Sequence, residues 1–308
     1  MGAPESLNVA KLGRAVDDLF GQLGVRPTHL PEPAPNTVNC RPALLAIWMI
    51  RRPKADRRRV HRQVPIALLI DPTGHQVQIR TTWFSWQPLH VGLVDLPQRY
   101  GNAATATGID PGQFIKESVE HAIASHPDTL LLTHAQNLRS TWPALAGPQM
   151  DVDTIDLGRG PQPIKELPGL RHIWVRSAHG AGTPQSYGVN DGIIGHPKGM
   201  WRFPEPRLFA STSGKPAYAV NSVLRNSKIA EGLPYGRDGF TRLNTQAPVW
   251  NEQLLELGVA GLQNGDQPEQ WAAMAHNLRD AVPYTRWTTP LPWPLQLAQQ
   301  IEEQVQPR

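Results

Sequence analysis

The amino-acid sequence predicts an α/β protein: one mixed sheet flanked by helices, carrying a helical and basic extension at its N-terminus. Three observations predict it. Apolar runs of strand length recur at residues 43–50, 64–70, 129–133 and 170–176, as expected of strands covered on both faces. A helix with its own start signals separates the second from the third. At 308 residues the chain is long for one domain and short for two, so a single large domain with an added piece is the simplest division. The expected boundary falls between an N-terminal part, 1–62, and a sheet domain, 63–308.

The elements follow in order. Residues 6–22 set Leu7, Val9, Leu12, Val16, Leu19 and Phe20 near helical spacing and stop at Gly24, an amphipathic helix. A proline-rich linker leads to the apolar strand at 43–50. Val64 to Ile70 is continuously apolar, turns at Asp71-Pro72-Thr73-Gly74, and returns as an alternating strand to Trp83. Proline pre-sets φ in such a turn and glycine closes it, so the two segments make a hairpin. Asp110 and Pro111 are an N-cap and first-turn proline for a helix over 110–126. Short strands are expected at 128–134, 170–176, 207–210 and 217–221, with a long loop over 177–202. Residues 250–259 and 268–278 read as helices. Alternating prolines at 290, 292 and 294 force an extended arm before a last helical stripe of Leu295, Leu297, Ala298 and Ile301.

Charge is uneven along the chain. Eight basic residues and one acid lie between Arg41 and Arg62, whereas seven acids and three bases follow Trp250, within a net charge of +4. A basic run of this density suits phosphates, because Lys and Arg displace condensed counterions; a solvated loop or a strip for an acidic protein partner is the competing reading. No apolar run approaches the roughly 20 residues of a membrane span, and the first residues lack a signal-peptide layout. One cysteine, Cys40, excludes an internal disulfide and fits a reducing compartment. A cytoplasmic protein is expected.

The chain has no glycine-rich phosphate loop with a following lysine, no nucleophile elbow and no His-Glu-x-x-His helix. Asp71, at the end of an apolar strand, is a candidate metal ligand, with ordinary turn chemistry as the alternative. His134 ends the strand after the 110–126 helix.

Several segments together resemble a known family. They are Leu130 to Arg139 with Trp142-Pro143, Phe209 to Pro216, Trp250-Asn251 with Leu254 to Leu257, Trp271-Ala272 with Ala275-His276 and Leu278-Arg279, and the Leu-Pro-x-Pro-Leu ending at 291–295. The ending is similar to the C-terminal edge of Piwi domains, and the set resembles the RNase H-like domain of the bacterial Piwi-related family linked to restriction endonucleases, from about Val64 to the terminus. The resemblance implies an RNase H-like fold, guide-directed defence against foreign nucleic acid, and a nuclease and a helicase as partners. It also implies a site in which carboxylates on adjacent strands hold two divalent metals. Here the aligned places carry Asp71, His134 and the amides Gln296, Gln299 and Gln300, where the family favours aspartate at His134 and histidine at Gln296. Imidazole is a poor magnesium ligand.

The sequence therefore suggests a weakened catalytic set of Asp71, His134 and Gln299 converging on one sheet edge, with magnesium or manganese held through Asp71 if at all. Nucleic-acid contacts are expected from Arg51, Arg52, Arg57, Arg58, Arg59, Arg62, Asn137, Arg139, Lys215, Arg225 and Lys228. The preferred reading is a Piwi-like protein that holds a guide–target duplex of RNA or DNA. An active metal-dependent nuclease using Asp71 and an RNase H-fold interaction scaffold are the alternatives.

Overall fold

A computed structural model describes residues 40–51, 63–101, 110–142, 145, 151–158, 160–177, 189–190, 193–194, 199–212, 254–281 and 289–305. The expected N-terminal helix, the proline-rich linker, the 52–62 basic run and the 217–221 strand lie outside these residues.

The first strand, β1 (Ala43–Arg51), is buried along almost its whole length. It is followed by β2 (Gln63–Ile70), β3 (Val77–Thr81), β4 (Gln87–Pro88), helix α1 (Leu89–Gly101), helix α2 (Pro111–Ser125), β5 (Thr129–His134) and a single helical turn, α3 (Ala135–Leu138). Then come the small hairpin β6 (Thr154–Asp156) and β7 (Pro161–Pro163), β8 (Leu170–Ser177), the short pair β9 (Val189–Asn190) and β10 (Ile193–Ile194), β11 (Gly199–Arg202), β12 (Leu208–Thr212), β13 (Leu255–Gly261), helix α4 (Pro268–Asn277) and helix α5 (Trp293–Val305).

Nine strands form one sheet in the order β11-β12-β13-β8-β5-β1-β2-β3-β4. The central strands β1, β5 and β8 run parallel, while the β2–β3–β4 arm and the β13–β12–β11 arm pair antiparallel. The expected mixed sheet is thus observed. Alternate residues of β1 go to opposite cores: Leu44, Ala46, Trp48 and Ile50 join the side covered by α1, α4 and α5, and Ala43, Leu45, Ile47 and Met49 join the side covered by α2. Such double coverage explains the unbroken apolar runs. Pro65 is tolerated inside β2 because β3 pairs only as far as Ile66, so no donor is needed on that flank.

Three sequence expectations change. The boundary at 62/63 would cut the sheet, since β1 is bonded to β2 on one side and β5 on the other; the unit begins by residue 43. The segment read as a helix over 250–259 contains β13 from Leu255, every residue of which is buried between β8 and β12. Its Leu255, Leu257 and Val259 follow the two-residue period of a strand. The region read as a long loop, 177–202, contains β9, β10 and β11.

A close backbone contact requires glycine before β8. Gly169, before β8, has φ of 80°, and a Cβ there would stand 1.5 Å from the Pro127 carbonyl oxygen. This close approach sets β8 beside β5. Arg171 reinforces it by binding Asp128 and Asp266 while lying 4.8 Å over the Trp271 ring.

A candidate nucleic-acid site at the strand ends

The parallel strands β1, β5 and β8 all finish at the same end of the sheet, with Arg51, His134 and Ser177. β5 is the shortest of the three. In register, Thr133 faces Ile47 of β1 and His134 faces Val175 of β8, so both neighbours run past it. Two consecutive side chains of α3 fill the gap. Gln136 accepts from Ser177 N at 3.1 Å and donates to Ser177 O at 2.9 Å. Asn137 accepts from Met49 N at 2.7 Å and donates to Met49 O at 3.0 Å. Each carboxamide presents the same donor and acceptor as a peptide group, so the two extend β5 sideways to both neighbours.

This overturns the expected role of Asn137. It is 6% exposed and its amide is paired with Met49 backbone, a fixture of the sheet rather than a contact for nucleic acid. Arg51 is exposed and donates to the carbonyls of Gln136 and Asn137 at 2.8 and 2.5 Å, and Arg139, two residues after Asn137, is exposed as well. Arg52, Arg57, Arg58, Arg59, Arg62, Lys215, Arg225 and Lys228 lie outside the described residues.

The register puts Trp48 of β1 next to His134 of β5, and their rings stack with centroids 5.3 Å apart. His134 Nε2 meets Ser177 Oγ at 3.2 Å, while its buried Nδ1 has no partner among the described residues. Burial, aided by the positive charge of Arg51, pushes the His134 pKa down to about 4. The ring is neutral at neutral pH. From the other side of the core, Glu302 of α5 accepts from Trp48 Nε1 at 2.7 Å and from Arg51 N at 2.8 Å. Trp48, Gln136, Ser177 and Glu302 are missing from the sequence-derived set. Only Glu302 left a trace there, standing four residues after Ala298 and seven after Leu295 on the buried stripe of α5.

Asp71 does not join this cluster. It follows Ile70, which pairs with Leu44, itself paired with Leu130. Asp71 therefore stands level with Thr129, five residues below His134 and two strands away. At about 3.3 Å per residue and about 4.8 Å per strand, the separation is about 19 Å, too far for a shared metal. Its carboxylate has a structural task instead: it accepts from Gln76 N at 2.7 Å and from the backbone and hydroxyl of Thr73, closing the hairpin turn. Gln299 donates to Glu303 one turn along α5. Gln296 accepts from Leu291 N and ties down the proline arm.

The donors gathered at the strand ends are an imidazole, a hydroxyl, two carboxamides and one carboxylate whose oxygens both accept hydrogen bonds. Magnesium pairs require several hard, charged oxygens, and this set does not fit them. Among the described residues no three His, Cys, Asp or Glu side chains are grouped to hold a metal.

The match to the family described as the RNaseH domain of pPIWI_RE covers residues 44–307. The chain belongs to that family. The pPIWI_RE domain accordingly takes in β1 and reaches the end of α5, as the sheet itself requires. Among solved structures it is similar to the Argonaute of Marinitoga piezophila with a guide RNA, at 11% identity and a TM-score of 0.36 over 86% of this chain and 30% of that one. It is also similar to the C-terminal lobe of a budding yeast Argonaute, at 7% identity and 0.39 over 86% and 47%, and to the catalytic domain of human Endonuclease V, at 12% and 0.30 over 98% and 97%. The chain thus spans less than half the length of these Argonaute chains. A comparison with curated proteins gave no match. None of the described helices is long and apolar enough to cross a membrane.

Proposed function

We propose that this pPIWI_RE domain binds nucleic acid, holding a guide–target duplex in the cytoplasm as part of defence against foreign nucleic acid, and leaves cutting to a separate nuclease that acts with a helicase. The observation that carries the reading is the stacked pair Trp48–His134. Two-metal cleavage in an RNase H fold needs carboxylates projecting from adjacent strands, and at their ends β1 and β5 present an indole and a neutral imidazole. Arg51 and Arg139 stay exposed at the same rim, where guanidinium groups suit phosphate oxygens. Holding therefore needs neither magnesium nor manganese.

The test is equilibrium binding of single-stranded and duplex RNA and DNA by the purified chain, followed by incubation with each metal. Binding without product supports the reading. Magnesium- or manganese-dependent cutting that disappears in Asp71→Ala or His134→Ala would overturn it in favour of an active nuclease, and a chain that binds no nucleic acid would favour the scaffold.

A further inference from the structure

On the side of β1 away from β5, a third carboxamide stands at the rim. Gln63 opens β2 and pairs in register with Arg51, the last residue of β1. Its side chain is fixed by the turn that follows α3: Thr141 Oγ1 donates to Gln63 Oε1 at 3.1 Å, and Gln63 Nε2 donates to Ser140 Oγ at 3.4 Å. Gln63, Arg139 and Ser140 are exposed. A carboxamide carries two N–H donors and an oxygen with two lone pairs. One donor and one acceptor site of Gln63 are therefore unused among the described residues, and so is the Ser140 hydroxyl proton. The Arg139 guanidinium has no ion pair or hydrogen bond among them either. Arg51 pairs with Gln63, Gln63 is bonded to Ser140, and Ser140 follows Arg139. A neutral pair thus links two residues that carry guanidinium groups.

We propose that Gln63, with Ser140 bonded to it, reads the ribose 2′-hydroxyl of the bound strand, so that this rim favours RNA over DNA. This rests on the nucleic-acid-binding reading above. Along a nucleic-acid strand, charged phosphates alternate with neutral sugars. Arg51 and Arg139 suit phosphate oxygens, and the neutral groups that link them then face a sugar. The 2′-hydroxyl both donates and accepts, as the unused half of the Gln63 carboxamide does, whereas deoxyribose offers neither function at that carbon. Thr141 already holds the carboxamide, so little side-chain freedom is lost when the sugar binds.

The experiment is a titration of the full chain, at several salt concentrations, with fluorescent single strands of one base sequence made as RNA, as DNA and as 2′-fluoro RNA, which keeps the ribose pucker without the hydroxyl. The native protein is compared with Gln63→Leu and Thr141→Val. Native protein should bind RNA more tightly than 2′-fluoro RNA or DNA. Gln63→Leu should lower the ratio of RNA to DNA affinity by about two-fold to ten-fold, the worth of one hydrogen bond. Thr141→Val keeps the carboxamide but removes its support, and its ratio should fall between the other two. The slope of log affinity against log salt should be the same in all three proteins, since no charge is removed. The 2′-fluoro arm needs no variant, so it reads the hydroxyl even where a substitution disturbs folding. Equal native affinity for RNA and 2′-fluoro RNA, an unchanged ratio in Gln63→Leu, or a reduced salt slope in that variant would each overturn the proposal while leaving nucleic-acid binding intact. A native chain that binds no nucleic acid would remove both.

Discussion

Replacing Asn137 with alanine separates a structural role from a binding role. The substitution removes the side chain that pairs both Met49 N and Met49 O on the β5 side. Met49 is fully buried and Asn137 nearly so, so water is poorly placed to repair the loss. An unsatisfied buried polar group costs about 1–3 kcal/mol, so two predict a loss of about 2–6 kcal/mol. Against a typical domain stability of about 5–15 kcal/mol this is large. Urea unfolding followed by tryptophan fluorescence should show the midpoint fall with little change in slope. The folded fraction should bind RNA or DNA with native affinity and native salt dependence. A stability change under about 1 kcal/mol, accompanied by weaker binding, would refute the pseudo-strand argument and return Asn137 to the nucleic-acid surface.

Other outcomes are expected from the structure and from the charge of the sequence. Glu302→Ala should destabilise by about 1–3 kcal/mol through Trp48 Nε1 and the Arg51 amide, with Glu302→Gln milder, by the same unfolding assay. Burial holds both His134 and His172 at about 4, below the unfolded value near 6.5. The unfolded chain then binds more protons between these limits, so stability is full above about pH 6.5 and falls toward pH 4 by up to about 1.4 kcal/mol per pH unit for each ring; a flat urea midpoint between pH 7 and pH 5 would contradict this. Asp71→Ala should slow refolding of its hairpin or lower stability without altering nucleic-acid affinity, read by stopped-flow fluorescence and anisotropy. Reversing Arg57, Arg58 and Arg59 to Glu should weaken binding and lower the salt slope by about one for each phosphate that is no longer neutralised.

Much of the sheet was legible because its strands are locally self-evident. Asp110 does cap α2, the turn at Asp71 does join β2 to β3, and the proline arm does deliver α5 to the core. Strand β13 was not, because Leu254, Leu255, Leu257 and Val259 satisfy a helical stripe as easily as a strand, and only its place between β8 and β12 decides. Helix α1 went unread since Gly92 and Pro97 interrupt its pattern; the glycine is needed there because a Cβ would fall 2.1 Å from Ile79 Cγ2. The site was half visible. His134 ends a strand recognisable by itself, whereas Asp71 lies at the opposite end from the one expected, because strand direction is a long-range property. The adjacency of Trp48 to His134 depends on parallel pairing between strands far apart in the chain, and nothing local encodes that register.

The order of the two amides in α3 has a consequence of its own. Glutamine reaches one methylene farther than asparagine, and the longer arm goes to β8 while the shorter goes to β1. The dipeptide Gln136-Asn137 therefore acts as a pair of arms of unequal length, each matched to the strand residue it bonds. An exchanged pair, Asn then Gln, would keep the composition, charge and hydrogen-bonding groups, yet leave one span too short and the other too long. At the rim, Met49 and Ser177 are thus held by side chains where the ladders below them are held by backbone.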